Sequence, residues 1–187
     1  MPAPFYTGRG DDGRSCLFGS GVRVPKQDPI FELLGTLDEL NTWLGLCRAE
    51  AKIPGQSDEQ TKRIAAPLEQ AQHALFTLQA QVAGAAKHIS LDHIETQEKT
   101  IELLSENLPL PDGFYLSGGC RLSAQLDIAR TVARRAERLL WNIADTRVIP
   151  GLAPAAAYLN RLSSLLYVLV RHANQSHGIV ETPPQYS

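Results

Sequence analysis

Cysteine, aromatic residues and long apolar runs are all scarce in this 187-residue chain, and each scarcity removes a class of protein. Cys16, Cys47 and Cys120 are odd in number, widely separated and without a CxxC pair. They furnish neither a disulfide framework nor a cysteine-based zinc site, and a reducing compartment suits them. The five histidines, His73, His88, His93, His172 and His177, include no pair at metal-ligand spacing, and the absence of ExxH argues against a di-iron carboxylate bundle. No GxxxxGK[ST] loop occurs, which excludes a Walker A phosphate cradle. No run of about 18 apolar residues exists to cross a membrane. Met1-Pro2-Ala3-Pro4 has neither the charged nor the apolar region of a signal peptide, so a cytoplasmic protein without membrane contact is expected. An excess of one charge is missing as well: 18 basic residues against 20 acidic leave −2, which argues against coating a nucleic acid.

What the chain does have is leucine and alanine, 26 and 21 residues, a quarter of the total and both strong helix formers. From Ile30 apolar residues recur at Leu33, Leu37, Leu40 and Leu44 on one helical face, and Pro29 suits a helix start. A second helical stretch covers about Pro67 to Ala86, with Pro67 either opening it or interrupting a longer helix that begins near Ser57. A third starts after Ser90, a candidate N-cap, and ends before Pro109 and Pro111. A fourth spans about Arg121 to Ala144, and a fifth about Pro154 to Asn174, apolar on most sides and therefore central. Five helices with short connections predict an all-α bundle in a single domain, residues 1–187.

Three segments carry candidate chemistry. On the fourth helix Asp127, Arg130, Arg134, Glu137 and Arg138 fall within about one third of the circumference. Such a face is either a solvated set of ion pairs or a polyphosphate clamp, since guanidinium forks match phosphate oxygens. The glycine-rich stretch from Thr7 to Ser15 either trails as a mobile tail or turns its backbone N–H groups inward as an anion nest. Asp38 and Asn41 lie beside the buried stripe of the first helix, and a partly buried carboxylate there calls for a cation such as Arg130, in the same chain or across a subunit boundary. Asn160 breaks an apolar helix, to bond a ligand or to bridge helices. Phe114-Tyr115-Leu116 beside Gly118-Gly119 suits either core packing or the wall of a flat apolar ligand's pocket.

Taken in order, these segments resemble the PduO-type ATP:cob(I)alamin (corrinoid) adenosyltransferases. The matching pieces are Tyr6-Thr7-x-x-Gly10-Asp11-x-Gly13, Lys26-x-Asp28-Pro29, Gly35-Thr36-x-Asp38-Glu39-Leu40-Asn41, Phe114-x-Leu116-x-Gly118-Gly119, Ala129-Arg130-Thr131-Val132-x-Arg134-Arg135-Ala136-Glu137-Arg138 and Tyr158-Leu159-Asn160-Arg161-Leu162-Ser163. The resemblance implies a homotrimeric five-helix bundle with active sites between subunits, and transfer of the 5′-deoxyadenosyl group of ATP to cob(I)alamin with release of triphosphate. By similarity, Thr7, Gly8, Arg9, Gly10, Ser15, Cys16 and Lys26 bind ATP, so residues 1–28 form an ATP-binding segment. Arg134, Arg135, Glu137, Arg138 and Asn160 complete the nucleotide site, with Glu137 near the Mg²⁺ carried by ATP. Asp38 and Arg130 correspond to the family's intersubunit ion pair, and Phe114 to the aromatic residue that occupies the place of the corrin's lower ligand. Arg130, Arg134, Asp38 and Phe114 are thus the expected catalytic set, with Phe114, Asp38 and Arg130 on the corrinoid side. A cobalamin reductase and an adenosylcobalamin-dependent enzyme are the implied partners. The competing reading is a non-catalytic, ATP-responsive helical bundle that acts as a corrinoid sensor or cofactor chaperone.

Overall fold

The computed structural model describes residues 5–51 and 58–186. Two short strands, β1 (Arg14–Cys16) and β2 (Arg23–Pro25), precede five helices: α1 (Pro29–Glu50), α2 (Asp58–Val82), α3 (Leu91–Ser105), α4 (Arg121–Ala144) and α5 (Leu152–Ser176). The strands pair antiparallel with Ser15 opposite Val24. The helices close a ring in which α1 packs on α2 and α4, α4 on α5, α5 on α3, and α3 back on α2.

Helix starts follow side-chain chemistry. Asp28 accepts the Ile30 N–H at 3.0 Å while Pro29 occupies the first turn, where a missing donor costs nothing. The other Asp28 oxygen accepts Arg147 at 2.8 Å, which ties the entry of α1 to the turn after α4. Ser90 starts α3 and bonds through its N–H and hydroxyl to His93 Nδ1. Cys120 starts α4: its thiol accepts the Ser123 N–H, and the Ser123 hydroxyl accepts the Cys120 N–H at 2.8 Å.

The predicted α4 coincides with the observed one. Helix α2 is the longer of the two alternatives, with Pro67 inside it; the start near Ser57 lies outside the described residues. Helix α5 begins two residues before Pro154, which sits in the first turn where a proline is tolerated, and runs on to Ser176. The hairpin was not expected from sequence.

The core is built from Leu33, Leu37, Leu40 and Leu44 of α1, Leu68, Leu75 and Leu78 of α2, Leu126, Ala129, Ala133, Ala136 and Leu140 of α4, and Leu159, Leu162, Leu166 and Leu169 of α5. Ala129, Ala133 and Ala136 are buried on α4, while Arg134, Arg135 and Arg138 are exposed. Cys47 is sealed in this core, and burial pushes its thiol up to about 12. Among the described residues no helix is long and apolar enough to cross a membrane.

Leu126→Ala should lower unfolding free energy by about 3 kcal/mol, whereas Leu110→Ala, on the exposed α3–α4 connection, should change it by less than about 0.5 kcal/mol, both read by chemical denaturation. Cys47 should stay unmodified by a maleimide in the native protein while exposed Cys16 reacts.

Candidate active site

Residues 121–175 contain eight arginines. Six are paired: Arg121 with Glu50, Arg130 with Asp127, Arg135 with Glu39, Arg147 with Asp28, Arg161 with Glu98 and Arg171 with Glu181. Arg134 and Arg138, one turn apart on the exposed face of α4, have no carboxylate within 4.0 Å among the described residues. Like charges four residues apart on a helix repel, so this arrangement carries a small cost that an anion would remove.

Arg130 and Arg134 border a cavity of about 470 Å³ whose other walls include Phe114, Leu116, Asp127 and Tyr167. Phe114 is 78 % exposed in the single chain and presents an apolar ring on the wall of this cavity. Burial raises the Tyr167 hydroxyl above its ordinary range, which keeps it neutral. The cavity is therefore apolar on the loop side and cationic on the α4 side.

The expected Asp38–Arg130 pair is not formed within one chain. Arg130 Nε donates to Asp127 Oδ1 at 2.8 Å, three residues away on its own helix, and Asp38 is exposed rather than half-buried, with no ion pair among the described residues. The helical rotation explains the difference: Asn41 takes the inward position and Asp38 faces out. Arg135 is engaged with Glu39, across α1 and α4. Asn160 does bridge helices, donating to Glu137 Oε1 at 3.1 Å and accepting from Arg161 at 2.8 Å, while Arg161 reaches Glu98 of α3 at 2.8 Å. The other Glu137 oxygen carries no hydrogen bond among the described residues.

At the amino terminus the glycine-rich stretch is folded rather than trailing. Gly8 and Gly13 take left-handed backbone conformations, with φ of 66° and 75°. Asp11 N–H returns to Gly8 O, and Lys26 N–H to Gly13 O at 2.8 Å. A Cβ on Gly10 would stand 3.0 Å from Lys26 Nζ, which places the ammonium against the loop at this glycine. The Arg9 N–H donates weakly to the Thr7 hydroxyl, Ser15 is half-buried on β1, and the Cys16 thiol is exposed.

Two ion pairs that the sequence did not reveal hold this segment. Arg23 binds both oxygens of Asp12 at 2.7 and 2.6 Å and also reaches the carbonyls of Arg9 and Arg14. Its guanidinium holds the Asp12 carboxyl below the usual carboxylate range. The Asp28–Arg147 pair anchors the segment to the bundle, between residues 119 positions apart that no local pattern connects.

Among the described residues no hydrogen bond or ion pair joins residues 7–26 to Arg134, Arg135, Glu137, Arg138 or Asn160. The amino-terminal segment is moored beside Arg147, past the carboxy end of α4, whereas Arg134 lies about 15 Å back along that helix. One chain thus presents the two expected halves of a nucleotide site at separate places.

A model of the cobalamin adenosyltransferase family matches residues 5–173. The corrinoid adenosyltransferase PduO of Salmonella typhimurium is 35 % identical over 97 % of the chain, and the chain spans only 54 % of that relative's length. The corrinoid adenosyltransferase of Mycobacterium leprae is 34 % identical, with 95 % of each chain covered. Among solved structures, an alanine-for-phenylalanine variant of the PduO-type ATP:corrinoid adenosyltransferase from Lactobacillus reuteri, complexed with cobalamin and ATP, superposes with a TM-score of 0.83 at 25 % identity, covering 97 % of this chain and 99 % of that one. A lysine-for-arginine variant of the same enzyme, complexed with ATP, gives 0.83 at 27 % identity, covering 96 % and 99 %. With a family match across most of its length and relatives above 30 % identity, the chain belongs to the cobalamin adenosyltransferase family.

Proposed function

We propose that this chain transfers the 5′-deoxyadenosyl group of ATP to cob(I)alamin, forming adenosylcobalamin and triphosphate, as a homotrimer whose active sites lie between subunits. The observation that carries the reading is the pairing of an apolar wall containing Phe114 with uncommitted guanidinium charge at Arg134 in one cavity. A corrin ring presents a broad apolar face, and a triphosphate leaving group presents concentrated negative charge. The enzymes named among the relatives are corrinoid adenosyltransferases, and of the solved neighbours one is complexed with cobalamin and ATP and another with ATP.

Cob(I)alamin is itself a strong nucleophile, so the protein need not activate a serine or cysteine. The cobalt electron pair forms the bond to C5′ as the C5′–O bond breaks, and the electrons leave on triphosphate. The protein's tasks are to align C5′ with cobalt and to stabilise charge growing on the leaving group. Arg134 and Arg138 serve the second task, extending along the phosphate chain at successive turns about 6 Å apart. Arg135 and Asn160 brace the face, and Glu137 offers a carboxylate oxygen to Mg²⁺ carried by ATP, consistent with that ion's habit of binding one or two carboxylates plus substrate phosphates. When bound, Mg²⁺ neutralises phosphate charge. Phe114 acts on the corrin side: an aromatic ring in the place of the lower ligand disfavours water there and leaves Co(II) four-coordinate and easier to reduce.

The separation of Gly10 and Lys26 from Arg134 within one chain supports a site completed by a neighbour, with residues 1–28 contributed as its ATP-binding segment by one copy and the α4 face by the next. Thr7, Gly8, Arg9, Ser15 and Cys16 belong to the first half. In such an assembly exposed Asp38 becomes available to Arg130 of an adjacent subunit, in exchange for Asp127. A cytoplasmic setting, supply of reduced cobalamin by a reductase and delivery to an adenosylcobalamin-dependent enzyme complete the proposal.

Chemically reduced cobalamin, ATP and Mg²⁺ should give the Co–C bond spectrum with wild-type protein; ATP binding without turnover would favour the sensor or chaperone reading instead. Arg134→Ala should lower kcat about 100-fold or more. Phe114→Ala should stay within about 3-fold of wild type with pre-reduced cob(I)alamin yet lose more than about 10-fold when the assay starts from Co(II). Chelation of Mg²⁺ should stop turnover, and Mg²⁺ should restore it.

A further inference from the structure

The carboxy-terminal tail after α5 folds back against the connection that carries Phe114. Leu116 N–H donates to Thr182 O at 2.8 Å. Glu181 accepts Arg171 Nε at 2.9 Å on one oxygen and Asn174 Nδ2 at 3.2 Å on the other. Arg171 is the hub: its side chain is only 7 % exposed, it donates to Pro109 O at 2.7 Å, and its guanidinium carbon stands 5.5 Å from the centre of the Tyr115 ring. The Tyr115 hydroxyl in turn donates to Asp112 at 2.7 Å, and this bond raises the phenol above its ordinary range.

These contacts bear on which way Phe114 faces. Between exposed Phe114 and Leu116, Tyr115 alone of residues 111–119 is half-buried, with its ring on Arg171. Holding the Tyr115 ring there fixes the backbone from which the adjacent Phe114 ring projects. The far end of the connection lies close to α5 and the tail, because a Cβ on Gly119 would meet the Asn174 carboxamide and an Ile179 methyl and would have to displace them. A guanidinium buried to this degree requires a carboxylate, and Glu181 is the one it has. Without it the charge would draw in water or swing outward, releasing both Tyr115 and the Pro109 carbonyl.

We propose that Arg171, Glu181 and Tyr115 form a positioning cluster for the corrinoid side of the site: Arg171 orients Phe114 through Tyr115, and the tail, through Glu181, keeps Arg171 in place. Its effect on turnover rests on the proposed adenosyl transfer; its effect on the connection does not.

The test uses full-length Glu181→Gln, which keeps the size of the side chain, Tyr115→Leu and the conservative Glu181→Asp. Backbone hydrogen exchange across residues 113–119 should quicken by about 10-fold in the first two, with α4 and the core of α5 unchanged. In turnover, KM for corrinoid should rise by about 5-fold or more while KM for ATP stays within about 2-fold, and Glu181→Asp should recover most of the loss. Bound Co(II) corrinoid in Glu181→Gln should retain its lower nitrogen ligand more often, read from the nitrogen splitting in its electron paramagnetic resonance spectrum. Unchanged exchange at 113–119 in both variants, or equal rises in both KM values, would overturn the cluster. Absence of transfer by the wild type would defeat the proposed reaction, and exchange would still decide the positioning role.

Discussion

Charge compensation along α4 and its neighbours is the constraint on which this molecule is organised. A helix that buries Leu126, Ala129, Ala133, Ala136 and Leu140 on one side must place its arginines on the other, and each guanidinium there needs an anion or open water. The protein supplies carboxylates to Arg130 and Arg135 and leaves Arg134 and Arg138 without one among the described residues. Formal charge follows the same division. Residues 121–175 hold eight arginines and three acids, a balance of +5, against −7 for the remainder. In space the +5 is met by Glu50, Glu39, Asp28, Glu98 and Glu181 of the remainder, which leaves Arg134 and Arg138 as the guanidinium groups without a carboxylate among the described residues.

The same constraint separates the two halves of the proposed site. Anchoring the glycine-rich segment through Asp28 to Arg147 consumes positive charge at the carboxy end of α4 and sets Lys26 and Gly10 away from Arg134. In the proposed assembly a neighbour's amino-terminal segment would complete the nucleotide site, and a ring of identical copies would repeat that head-to-tail contact until it closes. Exposed Asp38 and the exposed Phe114 ring fit the same proposal, as groups that a second copy or a ligand would cover.

Much of the fold was legible because the helices obey short-range rules. Periodic leucines, Asp28-Pro29 before α1, Ser90 before α3 and the polar–apolar division of α4 all act within a few residues. What escaped was long-range or too short to carry a pattern. The hairpin has three residues per strand and depends on Arg23 reaching Asp12, eleven positions back. Pro67 left two starts open for α2, and Leu68, Leu75 and Leu78 on one buried face belong to the longer helix that runs through it. Of the candidate site, the arginine face and the Phe114 wall were readable, and the structure brings Phe114, Arg130 and Arg134 to one cavity. The pairing of Asp38 was not decided by spacing, because within the chain Arg130 bonds Asp127, three residues away on its own helix.

The claim that the site is shared between copies can be tested by mixing. Lys26→Ala and Arg134→Ala proteins, each impaired alone by loss of opposite halves, are dissociated together, reassembled and assayed for Co–C bond formation. A shared site gives a mixed assembly in which one interface in about four carries both intact halves, so activity should return to about a quarter of the wild-type value. A mixture no more active than the mean of its two components, with subunit exchange verified, would place both halves in the same chain and contradict the account.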